Sequence, residues 1–227
     1  MWRIRHPSAV AGGAARVLRI VTMAVLAVAL WGCESAYYGA MERIGFHKRD
    51  ILTDRVEAAA ESQEAAKEEF ENAFEQFSSV VSVPQSELRS TYDALNDAYE
   101  DAEARATEVR NRIDAVEDVS GDLFDEWRRE IDEIGDRDLR DSSEEQLRRS
   151  QERYEALMTR MRRAEERMVP VLGTFRDYVL YLKHNLNARA VAALEGEVSG
   201  VRADVSELIR DMEASISEAR SFISNME

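Results

Sequence analysis

The stretch LRSTYDALNDAYEDAEARATEVRNRIDAVEDVSGDLFDEW, Leu88–Trp127, decides the fold because its apolar residues recur in alternating steps of four and three. All positions of this series except one serine are hydrophobic. A 3.5-residue repeat keeps one side of a helix apolar and is typical of helices that supercoil around each other with a left-handed twist. The positions are Leu88, Tyr92, Leu95, Tyr99, Ala102, Ala106, Val109, Ile113, Val116, Ser120, Leu123 and Trp127.

Three other segments repeat the same spacing, so we expect about four helices in all. In the first of them alanines alternate with larger residues, which predicts a close approach of a partner helix at Ala59, Ala66 and Ala73. The first series is Val56, Ala59, Gln63, Ala66, Phe70, Ala73, Phe77 and Val80. The third is Leu147, Ser150, Tyr154, Leu157, Met161, Ala164, Met168, Val171, Phe175, Tyr178 and Leu182. The fourth is Val191, Leu194, Val198, Val201, Val205, Leu208, Met212, Ser215, Ala219, Phe222 and Met226.

Helix-breaking residues set the predicted boundaries between these segments. SVPQS, Ser82–Ser86, predicts a reversal that ends in an N-cap at Ser86. GDRDLRDSS, Gly135–Ser143, predicts a second, with Ser142 and Glu145 forming a capping box. At KHNLNAR, Lys183–Arg189, the repeat slips by two residues. We expect a third reversal there, the alternative being one continuous helix of about 80 residues.

These segments predict an all-α fold: an elongated antiparallel bundle, or coiled coil, of about four long helices. Pro170 lies inside the third segment, but the repeat keeps its phase on both sides of it. A proline in a helix interior removes one backbone hydrogen bond and bends the helix. We therefore expect a kink there and not an end.

The N-terminal segment has the layout of a secretory signal, with arginines and no acidic residue before the apolar run Ile20–Leu30. The uncharged stretch between Arg19 and Glu34 would reach about 21 Å as a helix, less than the roughly 30 Å hydrocarbon core, so it is too short to span a bilayer. LWGC, Leu30–Cys33, matches a bacterial lipobox apart from the bulky Trp31. It predicts cleavage before Cys33 and acylation of its thiol, the alternative being an inert buried cysteine.

Composition gives the charge of the chain and its expected division. With 30 basic and 45 acidic residues the formal net charge is −15. Four of the basic residues and none of the acidic ones lie in Met1–Gly32, so the remainder carries about −19. Such a body repels phosphate backbones, and we expect no nucleic-acid partner. The predicted parts are a cleaved signal peptide at 1–32, a lipid-anchored juxtamembrane segment at 33–49 and a helical bundle at 50–227.

Three stretches of the chain resemble the DUF2959 family. They are SAYYGAMERIGFHKRDILTDRVEAAAESQEAAKEEFENAFEQFSSVV after Cys33, RIDAVEDVSGDLFDEWRREI in the middle, and YVLYLKHNLNARAVAALEGEV near the end. Together they cover essentially all of the chain from Cys33 onward. The resemblance implies a bacterial envelope lipoprotein with a helical fold, and it supplies no catalytic residues.

The sequence offers no signature of an enzyme. Metal sites in helical bundles commonly use Glu-x-x-His pairs, but Ile44 and Tyr181 precede His47 and His184 by three residues. The chain has no C-x-x-C, phosphate-loop or G-x-S-x-G pattern. We expect no catalytic activity, no bound metal and no cofactor beyond a covalent lipid on Cys33.

Two segments are candidate interaction sites. The residues between Asp177 and Glu195 include no acid, and basic and amide side chains gather in their middle, at Lys183, His184, Asn185, Asn187 and Arg189. This pattern indicates either a capped turn or a docking surface for a partner or an anionic envelope polymer. The other segment follows the anchor and has the apolar and basic residues of a helix lying at a membrane surface, or of a seal on the bundle end. Its residues are Tyr37, Tyr38, Met41, Arg43, Ile44, Lys48 and Arg49.

The function expected from these features is that of a non-enzymatic interaction or scaffolding lipoprotein. It would be anchored in the inner or outer membrane, would face the periplasm, and would bind an envelope protein or a second copy of itself. The alternative is a membrane-active or lipid-handling protein whose bundle opens at Pro170 and Gly173.

Overall fold

The computed structural model describes residues 48–225, which form five helices and no strand. The chain divides into two units, Met1–Lys48 and Arg49–Glu227, and the account below concerns the second, together with Lys48 as the first residue of its first helix. The all-α prediction is confirmed. The helices are α1 Lys48–Val80, α2 Leu88–Glu133, α3 Arg137–His184, α4 Ala188–Glu195 and α5 Val198–Ser224.

The predicted apolar series form the core of this unit. In α1 every predicted position is buried. In α2 the prediction holds as far as Ser120, except that Tyr99 is half-buried, and the buried positions after it are Phe124 and Ile131 instead of Leu123 and Trp127. A straight α-helix has 3.6 residues per turn, so its buried face drifts away from a strict 3.5-residue repeat. Trp127 is half-buried beside Phe124 and Ile131.

The later series are also largely buried. In α3 Tyr154 and Tyr178 are only half-buried, and Met158 and Val179 are buried beside them. The last predicted position, Met226, lies outside the described residues. The helix runs without a break from Arg137 to His184, so Pro170 does not end it, as predicted.

Two of the three predicted reversals have different caps from those expected. The first lies between Val80 and Leu88, and Glu87, not Ser86, occupies the N-cap without a side-chain capping bond. The capping box at Ser142 and Glu145 is wrong, because α3 already begins at Arg137.

Asp136 is the N-cap of α3, and its Oδ1 accepts a hydrogen bond of 3.0 Å from the backbone N–H of Leu139. An aspartate is at least as good a cap as a serine and adds a negative charge at the positive end of the helix dipole. The side chain of Arg140 closes the preceding helix end, donating to the carbonyl oxygen of Ile134 from Nε and Nη2.

The third reversal is confirmed, since α3 ends at His184 and Asn187 caps α4. The fourth helical segment is in two pieces, because Gly196 and Glu197 separate α4 from α5. A glycine lowers helix propensity by about 1 kcal/mol relative to alanine, which favours a break at this position.

The helix α3 lies between two acidic partners. It carries 11 basic and 9 acidic residues, whereas α2 carries 6 and 15 and α5 carries 3 and 5. Arg162 is 2.6 Å from both Asp114 and Glu117 of α2. On the other side Arg163 and Arg167 pair with Asp211 of α5 at 3.2 and 3.1 Å. The backbone of α3 accordingly lies close to those of both α2 and α5.

The alanines of α1 lie in its buried seam. Ala59, Ala66 and Ala73 are fully buried, as the predicted series requires, and the close approach of a partner backbone at these positions stays a prediction. Phe77, the next large residue of the series, stacks on Tyr178 of α3 with ring centroids 4.7 Å apart. Two cavities of about 360 and 250 Å³ lie between α1 and α5.

We predict that Gln63→Leu stabilises the bundle. Gln63 is 0% exposed, and neither its Nε2 nor its Oε1 has a hydrogen-bond partner among the described residues. Replacing an unpaired buried amide by an apolar group of similar size should raise the free energy of unfolding by about 1–3 kcal/mol, measured by urea denaturation. The control Gln76→Leu removes an amide that bonds to Asn72 at 3.3 Å and should bring no gain. A destabilised Gln63→Leu protein would show that this amide has a partner.

We also predict that Asp136, and not Ser142, is the cap that matters for α3. Asp136→Ala should lower the free energy of unfolding by about 1 kcal/mol, the usual cost of losing an N-cap. Ser142→Ala, which lies within the helix on an exposed surface, should change it by less than about 0.5 kcal/mol. Equal effects of the two substitutions, measured by denaturation, would contradict this assignment.

Candidate functional site

The predicted candidate at Lys183–Arg189 forms the turn between α3 and α4. The Oδ1 of Asn187 accepts hydrogen bonds of 3.1 Å from the backbone N–H groups of Arg189 and Ala190. The Nδ2 of Asn185 donates to the carbonyl oxygen of Tyr181 at 2.9 Å. Both asparagines therefore satisfy helix ends, which is the structural role considered for them.

The charged residues of this turn have a different environment. Lys183, His184 and Arg189 are exposed, and within residues 48–225 none of them forms an ion pair. Beside them Leu180 and Tyr181 are 52% and 41% exposed, which is high for large apolar side chains. We call Leu180, Tyr181, Lys183, His184 and Arg189 the tip surface. It joins apolar and basic groups in a stretch that contains no acid.

The sequence analysis did not identify Leu180 and Tyr181 as site residues. A signal was present, because YVLYL is a run of five apolar residues and a helix can bury only part of such a run at one seam. Tyr178 and Leu182 belong to the predicted series, and the two residues between Val179 and Leu182 are the ones left exposed.

Most of the second predicted segment cannot be placed in the structure. Cys33, Tyr37, Tyr38, Met41, Arg43 and Ile44 lie outside the described residues. Lys48 is the first residue of α1. Arg49 is exposed, and its guanidinium lies 5.5 Å from the centroid of the Trp127 ring, within the range of a cation–π contact.

Arg49 also lines a cavity that no local sequence pattern indicated. The cavity measures about 250 Å³, and the four long helices or their ends all contribute to it. We call it the arginine cavity. Its lining consists of Arg49 from α1, Trp127 from α2, Gln146, Arg149, Ser150 and Arg153 from α3, and Asn225 at the end of α5.

The three arginines of the cavity differ in their partners. Arg149 pairs through Nε with Glu145 at 2.7 Å, and Arg148 shares the same carboxylate. The hydrogen bonds from Arg148 and Arg149 lower the pKa of Glu145 to about 2. Arg153 donates to Ser150 Oγ at 3.5 Å, and neither it nor Arg49 has an acidic partner in the described part of the chain.

The rest of the lining is polar but uncharged. The Nε1–H of Trp127 donates to Ser143 Oγ at 3.0 Å, which fixes the indole under Arg49. The amide of Asn225 donates to the carbonyl oxygen of Ser221 at 2.7 Å. No carboxylate is among the residues of 48–225 that line the cavity. Its electrostatic character is therefore positive, in contrast to the chain as a whole.

The tip surface and the arginine cavity lie near opposite ends of the bundle. On α3 they are separated by the residues between Ser150 and His184, which span about 50 Å at 1.5 Å per residue. The turn at the tip therefore lies far from the residue at which α1 begins.

The described residues give no indication of a metal site. Residues 48–225 contain no group of three or more His, Cys, Asp or Glu side chains arranged to hold a metal ion. None of the helices in this range combines the length and the hydrophobicity that a bilayer-crossing segment requires.

Comparison with known protein families assigns the chain. The model of DUF2959, described as a protein of unknown function, matches residues 37–226, which is most of the chain. The chain belongs to the DUF2959 family. Comparisons with curated proteins and with solved structures give no match. Membership of DUF2959 agrees with the sequence resemblance and adds no activity to it.

Proposed function

We propose that this DUF2959 protein is a membrane-tethered periplasmic lipoprotein that acts as a non-enzymatic interaction or scaffolding protein of the cell envelope. The observation that carries the proposal is the tip surface, where exposed apolar and basic side chains come together at a capped turn. Exposed large hydrophobic side chains beside charges are typical of interaction sites.

The position of the tip surface supports this role. The lipobox at Leu30–Cys33 supplies the proposed anchor, and α1 begins 15 residues after the cysteine, at Lys48. The tip lies about 50 Å along α3 from the level at which Arg49 meets Trp127. A bundle of this length separates the tip from the end at which α1 begins, and we propose that other envelope proteins bind at the tip.

The charge of the tip surface defines the chemistry of the partner. Its lysine and arginine are positively charged, no carboxylate lies among its residues, and the acid-free stretch around it interrupts an otherwise acidic sequence. Complementary charge guides association and excludes wrong partners. We therefore propose an envelope protein with an acidic surface around an apolar patch. The acidic side of a second copy is a less specific candidate, since it has no defined apolar counterpart.

The hinge that a membrane-active function would use finds no support in the fold. Pro170 and Gly173 both lie inside the unbroken α3, which packs closely against both α2 and α5. Opening the bundle at this point would break the seams on both sides of α3.

A photo-crosslinking experiment in cells tests the tip surface. A crosslinking amino acid at Leu180 should yield a discrete adduct, and Lys183→Ala, His184→Ala and Arg189→Ala together should reduce its yield at least fivefold. The matched control is Leu139, a leucine that is somewhat more exposed (64% against 52% for Leu180) and lies near the other end of the same helix, and it should give no such adduct. Identical adduct patterns at both leucines, with unchanged thermal stability, would reject the tip as a docking site.

A separate experiment tests the anchor. Cys33→Ser should move the protein from the membrane to the soluble fraction, because it removes the acyl chains that hold it there. Mass spectrometry of the unsubstituted protein from membranes should find an N-terminal acylated Cys33. Recovery of an uncleaved, unacylated chain would refute the lipoprotein assignment and leave the tip result intact.

A further inference from the structure

We propose that the arginine cavity is a binding site for a phosphate group. The proposal rests on the composition of the lining, on the availability of its guanidinium groups and on its position in the bundle. It does not depend on the tip surface, which lies about 50 Å away along α3.

The lining matches what an anion requires. Three guanidinium groups face a cavity together with two side-chain amides, one hydroxyl and one indole, and no carboxylate is among them. In a chain with 45 acidic and 30 basic residues, a random group of charged residues would contain more acids than bases, so a group of three arginines stands out. Glu145 offsets part of the charge of Arg149, but Arg49 and Arg153 have no acidic partner among the described residues, and an anion between the three guanidinium groups would relieve their mutual repulsion.

The three guanidinium groups have N–H donors that no acidic group of the described residues engages. Among residues 48–225 no acid pairs with Arg49 or Arg153, and the pair of Arg149 with Glu145 engages only its Nε. The guanidinium carbon of Arg49 lies 5.5 Å from the centroid of the Trp127 ring, and this contact does not use a hydrogen bond to an acidic group. Arginine presents its N–H edge as a planar fork that matches two oxygens of a phosphate.

The number and origin of the donors favour phosphate over a carboxylate. Arginines from α1 and α3 approach from different helices, and a tetrahedral group with several oxygens can accept from both directions where a planar carboxylate offers only two oxygens. The cavity, at about 250 Å³, is far larger than the ~10–15 Å³ that one water needs.

The position of the cavity indicates two sources for such a group. Arg49 is the second residue of α1, and only the residues 34–48 separate it from Cys33. A phosphate in the headgroup of a lipid is therefore one source, and a small soluble phosphate compound is the other. A phosphodiester or phosphomonoester is the chemistry that both share.

The experiment uses the full chain with Trp2→Phe and Trp31→Phe, so that Trp127 is the only tryptophan and its emission reports on the cavity. The protein is kept in maltoside detergent, which contains no phosphate. One arm titrates inorganic phosphate at constant ionic strength. The other adds short-chain phosphatidylglycerol to the micelles, with the corresponding diacylglycerol, which lacks the phosphoglycerol group, as the comparison.

Two double variants distinguish the contribution of the cavity arginines to binding from the effect of net charge. Arg49→Gln with Arg153→Gln should weaken binding at least tenfold. Arg128→Gln with Arg137→Gln removes the same charge from two exposed arginines that already pair with Asp125 and Asp141, and should change the affinity less than twofold. Arg153→Lys keeps the charge but not the planar fork and should also weaken binding. Circular dichroism checks that each variant keeps its helix content.

Each outcome decides the proposal. A saturable change with both ligands supports a phosphate site that accepts a free phosphate, and a change with phosphatidylglycerol alone supports a headgroup site. No saturable change with either ligand overturns the proposal. Equal weakening in the two double variants, or an equal response to diacylglycerol, also overturns it, because the response would then come from charge or from acyl chains.

Discussion

The arrangement of the helices depends on ion pairs between α3, which is rich in arginine, and its two acidic neighbours, α2 and α5. The apolar seams supply most of the stabilising free energy, but every helix has such a seam, so the seams alone do not determine which helices become close neighbours. Charge does discriminate among them. The only long helix with more basic than acidic residues among those described is α3, and it is the one that approaches both α2 and α5 closely. Individual surface ion pairs contribute little, yet a network on both sides of one helix favours this arrangement over others.

The charge of α1 explains why it forms few ion pairs with its neighbours. It carries 4 basic and 9 acidic residues, so it has little to offer to the acidic α2 and α5. Its predicted seam is apolar apart from Gln63, whose amide is buried without a hydrogen-bond partner among the described residues. The helix that follows the proposed anchor is therefore held in the bundle chiefly by apolar burial.

Much of the fold could be predicted from the sequence, because helix formation and seam position are set by local spacing. The series of α1 is buried at every predicted position, from Val56 to Val80, since that series is short enough for the difference between 3.5 and 3.6 residues per turn not to matter. Over the longer α2 the difference accumulates, so that Phe124 is buried where the series predicted Leu123. At the start of α3 two capping residues compete, and local pattern alone does not decide between Asp136 and Ser142.

For the candidate sites, too, only the features that depend on neighbouring residues could be predicted from the sequence. The turn at Asn185 and Asn187 was predictable because capping is a property of neighbouring residues. The arginine cavity was not, because Arg49 and Arg153 are more than a hundred residues apart and each lies in an ordinary charged sequence. Only the folded arrangement brings them together, in a lining whose described residues include no carboxylate.

The cavity also shows where the bundle begins and ends. Arg49, from the first turn of α1, and Asn225, which caps α5, line the same space. The described helices thus start and finish at the same end of the bundle. A reporter domain appended after Asn225 would leave the Lys183–Arg189 loop unobstructed, and a short peptide joining Asn225 to Arg49 would permit a circular permutation of the helical bundle, with new termini opened at Ser82–Ser86.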